Sequence, residues 1–369
     1  MKSIVKHWRR IAVTLIPVLL ALLHAVGVVR IGVLQRLDDI IYDARLQATM
    51  PKTLDDRVVI IDIDEKSLAD LGRWPWSRNK LADLVNTLFQ DQEIAILGFD
   101  VVFAEADESS GLARLSQLAR NELKDYPAFS DRLKQLQPDL DFDAAFAAAL
   151  ANRPVVMGYY LSSDKEGRSN GVLPAPVLRP DALQGRQIRA TSWTGYGANI
   201  EQLAKAAPMA GFFNSITDSD GVVRSLPLLA EYRGEYYESI ALSMFRVIAG
   251  MPSVAPGFSN ERFLAKNYQG MDRVLLKQGD KALAIPVDER VATLVPYRGR
   301  GGVNGGSFRY VSATDVVKKK LPPGSLKGKV VLLGTTAPGL LDLRVTPVGE
   351  TYPGAVSYTH LTLPTSDLV

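Results

Sequence analysis

Three aspartates stand where a β-sheet would present them to a ligand. Asp62 and Asp64 close the apolar, largely β-branched run Val58–Ile63, and Asp100 falls late in a second apolar run, Ile94–Phe103. Ligands of open parallel sheets bind just beyond the carboxyl ends of the strands, so acids in these places would face a pocket. Two carboxylates at alternate positions beside a third would suit a hard cation. They also approach the Asp-x-Asp pattern of phosphohydrolases, which wants a small hydroxyl residue two places on, where this chain has Lys66. The competing reading is structural: acids that cap turns or pair with bases. Trp74-Pro75-Trp76, followed by Arg78, is a second candidate. Two indoles around a rigid proline beside a guanidinium would make an aromatic and cationic recognition surface, or would plug the mouth of a core.

Other motifs fail on spacing. Asp218-Ser219-Asp220-Gly221 suggests a calcium loop, but with Gly221 in the sixth place the twelfth falls on Pro227 instead of a bidentate Glu. An Asp-Gly step suits a tight hairpin turn instead. Gly324 to Lys329 approaches a phosphate loop with its glycines one residue too close, and it precedes a strand where it should follow one. Gly299 to Gly306 lacks dinucleotide spacing. The chain has no cysteine, which removes disulfides, thiolate metal sites and cysteine nucleophiles. Nothing in the sequence calls for a cofactor or a metal. The 43 basic residues stand against 40 acidic ones, a net charge of +3. That balance does not favour nucleic acid, because phosphate binding needs clustered positive charge.

The elements that must position these residues read as one mixed α/β domain, with a partly parallel sheet and flanking helices. Leu34–Ala48 has helical spacing and ends at Met50-Pro51. Val58–Ile63 and Ile94–Phe103 are buried strands around a helix at Ser77–Phe89 with Ser77 as N-cap, which implies a βαβ unit with parallel strands. Helices fill Gly111 to Leu150, and Pro154–Leu161 is a third strand. Ser162 to Ala207 reads as an irregular insertion. A helix at Ser239–Ile248, short strands at Ala282–Pro286 and Ala292–Tyr297, a helix at Ser312–Lys320 and a buried strand at Val330–Leu333 follow.

The ends divide the chain further. Residues 1–10 carry Lys2, Lys6, Arg9 and Arg10 and no acid, and residues 11–29 carry no charged side chain. A helix of that length rises about 28 Å, close to the hydrocarbon thickness of a bilayer. The positive-inside rule keeps the basic arm cytoplasmic and sends 30–355 across the membrane as a retained, anchored domain. Residues 356–369 begin VSYTHLTLPT, which matches one translated frame of a common sequencing adapter. They are set aside, His360 with them. That leaves His7 and His24, so the extracytoplasmic domain has no histidine for a catalytic dyad or a typical zinc site.

Ordered motifs then make a family visible. Val58–Arg78 (VVIIDIDEKSLADLGRWPWSR), Ile96–Asp107, Gly211–Leu229, Ile285–Glu289, Tyr297–Gly299, Val311–Val317 and Lys329–Gly354 together resemble the CHASE type-2 family of extracytoplasmic sensor domains. The resemblance covers about Leu34 to Ala355. It implies an inner-membrane receptor with its sensor in the periplasm or outside the cell, taking an unknown ligand and working as a homodimer. The Leu340–Gly349 stretch resembles most the adenylate/guanylate cyclase members, and sensor kinases are another output of the family. The ligand-sensing candidates are Asp62, Asp64, Trp74, Trp76, Arg78, Asp100, Asp342 and Arg344. Two readings from other classes stand beside this one: a membrane-anchored periplasmic metal-dependent hydrolase built on the three strand-end acids, and a structural envelope interaction module.

Overall fold

A computed structural model describes residues 2–25, 28–29, 31–258, 270–302, 306–337, 343–354 and 360. Two helices lead into the domain: α1 (Lys2–Ala25) and α2 (Gly32–Thr49). Within α1, Trp8–Ala25 is long and apolar enough to cross a membrane, with a mean hydropathy of 1.5 and none of it buried. The helices are separate elements rather than one rod. Between them, the Ile31 N–H donates to His24 Nδ1 at 3.2 Å, and His24 Nε2 lies 3.5 Å from an Asp38 carboxylate oxygen.

The domain is built on five parallel strands: β1 (Asp55–Ile63), β2 (Ile96–Phe99), β3 (Val155–Ser162), β4 (Phe308–Ser312) and β5 (Val330–Thr335). Their order across the sheet is β4-β1-β5-β2-β3. Ala210–Phe212 pairs with β3 in parallel, and Gly195–Gly197 pairs with it antiparallel. The mixed α/β class read from sequence is the one observed. So is the parallel relation of β1 and β2, but β5 sits between them, brought in from more than 200 residues downstream.

Alternation along each strand loads both faces. Val58 and Ile60 pack with Ile96, Val330 and Leu332 into a core shared with the Ile240–Ile248 helix and the β-rich second half of the chain. Val59, Ile61 and Ile63 point the other way, into a core with Leu97, Phe99, Val331 and Leu333. That second core is covered by α3 (Glu65–Leu71), α4 (Arg78–Asn86) and the Phe142–Leu150 and Ala313–Val317 helices. Burial of each such side chain contributes about 1.5–3 kcal/mol, which is why β-branched runs with no polar interruption become strands covered on both sides.

Several boundaries move, each for a local reason. The second strand stops at Phe99 instead of Phe103. Asp100 N–H still donates to Leu333 O at 2.9 Å, but the Phe103 N–H is taken by Asn199 Oδ1, whose Nδ2 donates to Gly158 O. Ser77 stands at the N-cap of α4 without a side-chain bond, and the Arg78 N–H is instead claimed by Asp107 Oδ2 at 2.6 Å. That helix ends at Asn86 and continues as a π-turn, Thr87–Asp91. The Asp218–Gly221 turn forms, closed by Asp218 N–H on Val222 O at 2.9 Å with Gly221 at φ +83°. It joins no hairpin; the residues after it, Ser225–Pro227, pair instead with Ala292–Leu294.

Candidate functional site

The carboxyl edge of the sheet collects the first two candidates. Asp62 sits next to last on β1, opposite Gly334 on β5 and Ser312 on β4. Its side chain is 1% exposed. It follows Val58 and Ile60 onto the face of the first core. One carboxylate oxygen accepts the Thr336 N–H at 3.0 Å, and the other accepts the Thr336 hydroxyl at 2.6 Å. Asp64 faces elsewhere. It caps α3, accepting the Ser67 N–H and the Ser312 hydroxyl, both at 2.8 Å. Ser67 and Ser312 lie 3.0 Å apart through their oxygens, and Ser67 Oγ accepts the Thr314 N–H. The edge is thus a ladder of two acids and hydroxyls running across β4, β1 and β5.

Burial pushes the Asp62 carboxyl up to about 6, opposed by the two Thr336 hydrogen bonds and assisted by the nearby charge of Asp64. Tyr310, on β4 at the same edge, is raised by burial, and its hydroxyl accepts the Gly302 N–H at 3.0 Å. Lys66, which stands where a phosphohydrolase would carry a hydroxyl, turns away to a bidentate contact with Asp315 at 2.6 and 2.7 Å.

The remaining candidates are dispersed. Asp100 follows β2, two strands from Asp62 and so roughly 10 Å across the sheet. Arg344 is half-buried in the Leu343–Thr346 strand, opposite Tyr352 of Gly349–Pro353. Asp342 lies outside the described residues. Trp74, Trp76 and Arg78 are on the opposite face of the sheet from Asp62, against the second core. Trp76 is 2% exposed, donates its indole N–H to Gly72 O at 2.8 Å, and meets Trp74 edge-on at 5.3 Å across a cis Trp74–Pro75 bond. Arg78 is buried too. Its guanidinium lies over Phe103 at 4.5 Å, reaches Glu105 O at 3.2 Å and sits 3.6 Å from an Asp143 oxygen. These contacts tie α4 to the Phe142–Leu150 helix and to the segment after β2.

A metal-hydrolase centre needs convergent ligands, and the three strand-end acids do not converge. Among the described residues no group of three or more His, Cys, Asp or Glu is placed to hold a metal. What the edge can do is bind hydrogen-bonding groups and exchange a proton. Sequence reasoning found Asp62 and Asp64 but missed Thr336 and Ser312, partners that arrive from the far end of the chain. The Thr335-Thr336 step directly after an apolar run was the available signal.

The raised carboxyl has a signed consequence. Below about pH 4 Asp62 is neutral in both folded and unfolded chains. Between the ordinary value of 3.8 and about 6 only the unfolded chain ionises, so this group's contribution to stability is lost as pH rises through that window. Asp62→Asn keeps the shape and the bond from the Thr336 N–H, and its amide nitrogen donates to the Thr336 hydroxyl instead of accepting from it. Urea denaturation is expected to show it more stable than the parent by up to about 3 kcal/mol at pH 7.5 and equal to it near pH 4. A variant less stable at neutral pH would show that the ionised carboxylate is favoured there.

Comparison with known proteins bears on the whole chain. A family model, the CHASE2 domain, matches residues 16–362. No curated protein and no solved structure gives a significant match. The matched span contains both faces of the sheet, the acidic strand edge and α2. The chain belongs to the CHASE2 domain family, a family of extracellular sensory domains.

Proposed function

We propose that this chain is the sensory part of a transmembrane receptor whose domain lies outside the cytoplasm and whose output is a nucleotide cyclase. The observation that carries the reading is the CHASE2 match over residues 16–362. The apolar span Trp8–Ala25 supports anchoring, and the Lys2, Lys6, Arg9 and Arg10 arm supports a cytoplasmic N-terminus. In this reading 1–10 is the cytoplasmic arm, 11–29 crosses the membrane, 30–355 is the sensor and 356–369 is adapter-derived. The described residue of that last stretch, His360, packs edge-on to Phe308 with Nε2 at 3.2 Å from Tyr352 Oη. The cyclase assignment rests on the likeness of Leu340–Gly349 to cyclase members.

Sensing is assigned to the strand edge around Asp62, Asp64, Ser312 and Thr336. A ligand shifts a receptor only by its differential affinity for two arrangements, and a coupling of about 1–3 kcal/mol suffices. The edge is linked to α2 by chain and by contact. From Thr336 the chain runs through a short segment to Leu343–Thr346, where Val345 O accepts the Val223 N–H, and then to Pro347, whose carbonyl accepts from Gln47 Nε2 on α2 at 2.6 Å.

Homodimerisation belongs to the same proposal. On α2, Val33, Leu37, Ile40, Ile41, Ala44 and Ala48 are all exposed and form one stripe, turned away from the side that Tyr42, Asp43, Leu46 and Met50 set against the domain. Two copies anchored in one bilayer bring these stripes together in parallel.

Three measurements test the reading. Alkaline phosphatase joined after Thr49 is expected to be active and a fluorescent protein there dark; the reverse pattern contradicts the topology. In cells expressing the receptor gene, cyclic nucleotide should accumulate, and its absence alongside kinase activity would assign the output differently. A single cysteine at Ile40, in a chain that otherwise has none, is expected to cross-link copies in membranes. Failure there, with cross-linking elsewhere on the domain, would move the dimer contact off α2.

A further inference from the structure

α2 is held to the domain almost without buried surface. None of its residues is buried, and among the described residues only Leu46 and Met50 lean on the first core. Its polar ties are Tyr42 Oη to Val295 O at 3.4 Å, Gln47 to Pro347 O, and one strong contact: Asp43 with Arg224. The guanidinium of Arg224 is forked on the Asp43 carboxylate, Nε and Nη2 each at 2.8 Å. This bidentate geometry is the strongest form of the pair.

Arg224 is not satisfied by Asp43 alone. Its Nη1 reaches Asp218 at 3.1 Å and one Asp220 oxygen at 3.0 Å, while Nη2 reaches the other Asp220 oxygen at 2.8 Å. Three carboxylates therefore surround one guanidinium whose side chain is 5% exposed, with Arg290 flanking Asp218 at 3.6 Å. This arrangement sets the cost of letting α2 go. Breaking a buried ion pair is ordinarily expensive because it strands the remaining charge. Here Asp43, whose side chain is 22% exposed, returns to water, and Arg224 keeps both turn aspartates. The Asp218–Asp220 turn, read from sequence as hairpin chemistry, supplies the two standby counter-ions.

We propose that Arg224 is a releasable latch: it clamps α2 through Asp43, and Asp218 and Asp220 hold it neutralised when α2 disengages, so that the helix leading from the membrane has two accessible arrangements. The latch gives the receptor reading above its moving part. Its test reads helix protection and no signal, so the latch and the receptor reading fail separately.

Hydrogen exchange of the full chain in detergent micelles, followed over residues 32–49, distinguishes a latch from a plain clasp. Asp43→Asn is expected to speed exchange of α2 at least tenfold while β1 and β5 keep their protection. Asp220→Asn, which removes the charge and one of the two standby bonds, is expected to slow α2 exchange threefold or more, because release would now leave Arg224 undercompensated. A simple clasp predicts no slowing. Unchanged α2 exchange in Asp43→Asn, or unchanged or faster exchange in Asp220→Asn, overturns the proposal. If Asp220→Asn loosens residues 218–225 themselves, Asp218→Asn decides by the same sign, since that acid contributes one bond instead of two.

Discussion

The register that sets Asp62 opposite Gly334 and Ser312 is the constraint from which the rest of the structure follows. Side chains alternate along a strand, so a slip of one residue on β1 would carry Asp62 into the second core and Ile61 out of it. With the observed register, Val58 and Ile60 fill one core, Val59, Ile61 and Ile63 fill the other, and the single polar side chain near the strand end is delivered to Thr336. A buried carboxyl is tolerable there because both of its oxygens find donors on the segment leaving the neighbouring strand. The same register puts Ser312 beside Asp64, which in turn fixes the start of α3.

That arrangement also decides what lies on which side. The Trp74–Arg78 segment belongs to the face away from Asp62, where Arg78 braces α4 against Asp143 and Phe103. Its burial among Phe103, Glu105 and Asp143 ties α4 to the segment after β2. The Asp62 face is the one that leads to α2, through Val345, Val223 and the Arg224 cluster.

Much of this was legible from local pattern. Apolar runs announced β1, β5 and the start of β2; the helical spacing of residues 34–48 announced α2; and acids after apolar runs announced the sheet edge. What was not legible were facts of distance in sequence. Thr336 is 274 residues from Asp62 and Arg224 is 181 from Asp43, and no short-range pattern encodes either meeting. The insertion of β5 between β1 and β2 is of the same kind. Asp218 and Asp220 looked like turn residues because they are turn residues; their second task depends on a helix that arrives from the other end of the chain. The end of β2 at Phe99 was hidden because Asn199, an ordinary loop residue by sequence, captures the following backbone.

In the proposed receptor the Asp62 edge and the α2 latch are energetically one system. A double-mutant cycle between Asp62→Asn and Asp43→Asn, read as unfolding free energy of the full chain in detergent at pH 7.5, tests it most directly. Residues with no shared partner normally add to within about 0.3–0.5 kcal/mol. The account predicts a coupling larger than about 0.5 kcal/mol between these two positions. Additivity within that margin would contradict it, leaving the strand edge and the helix as independent features of one fold.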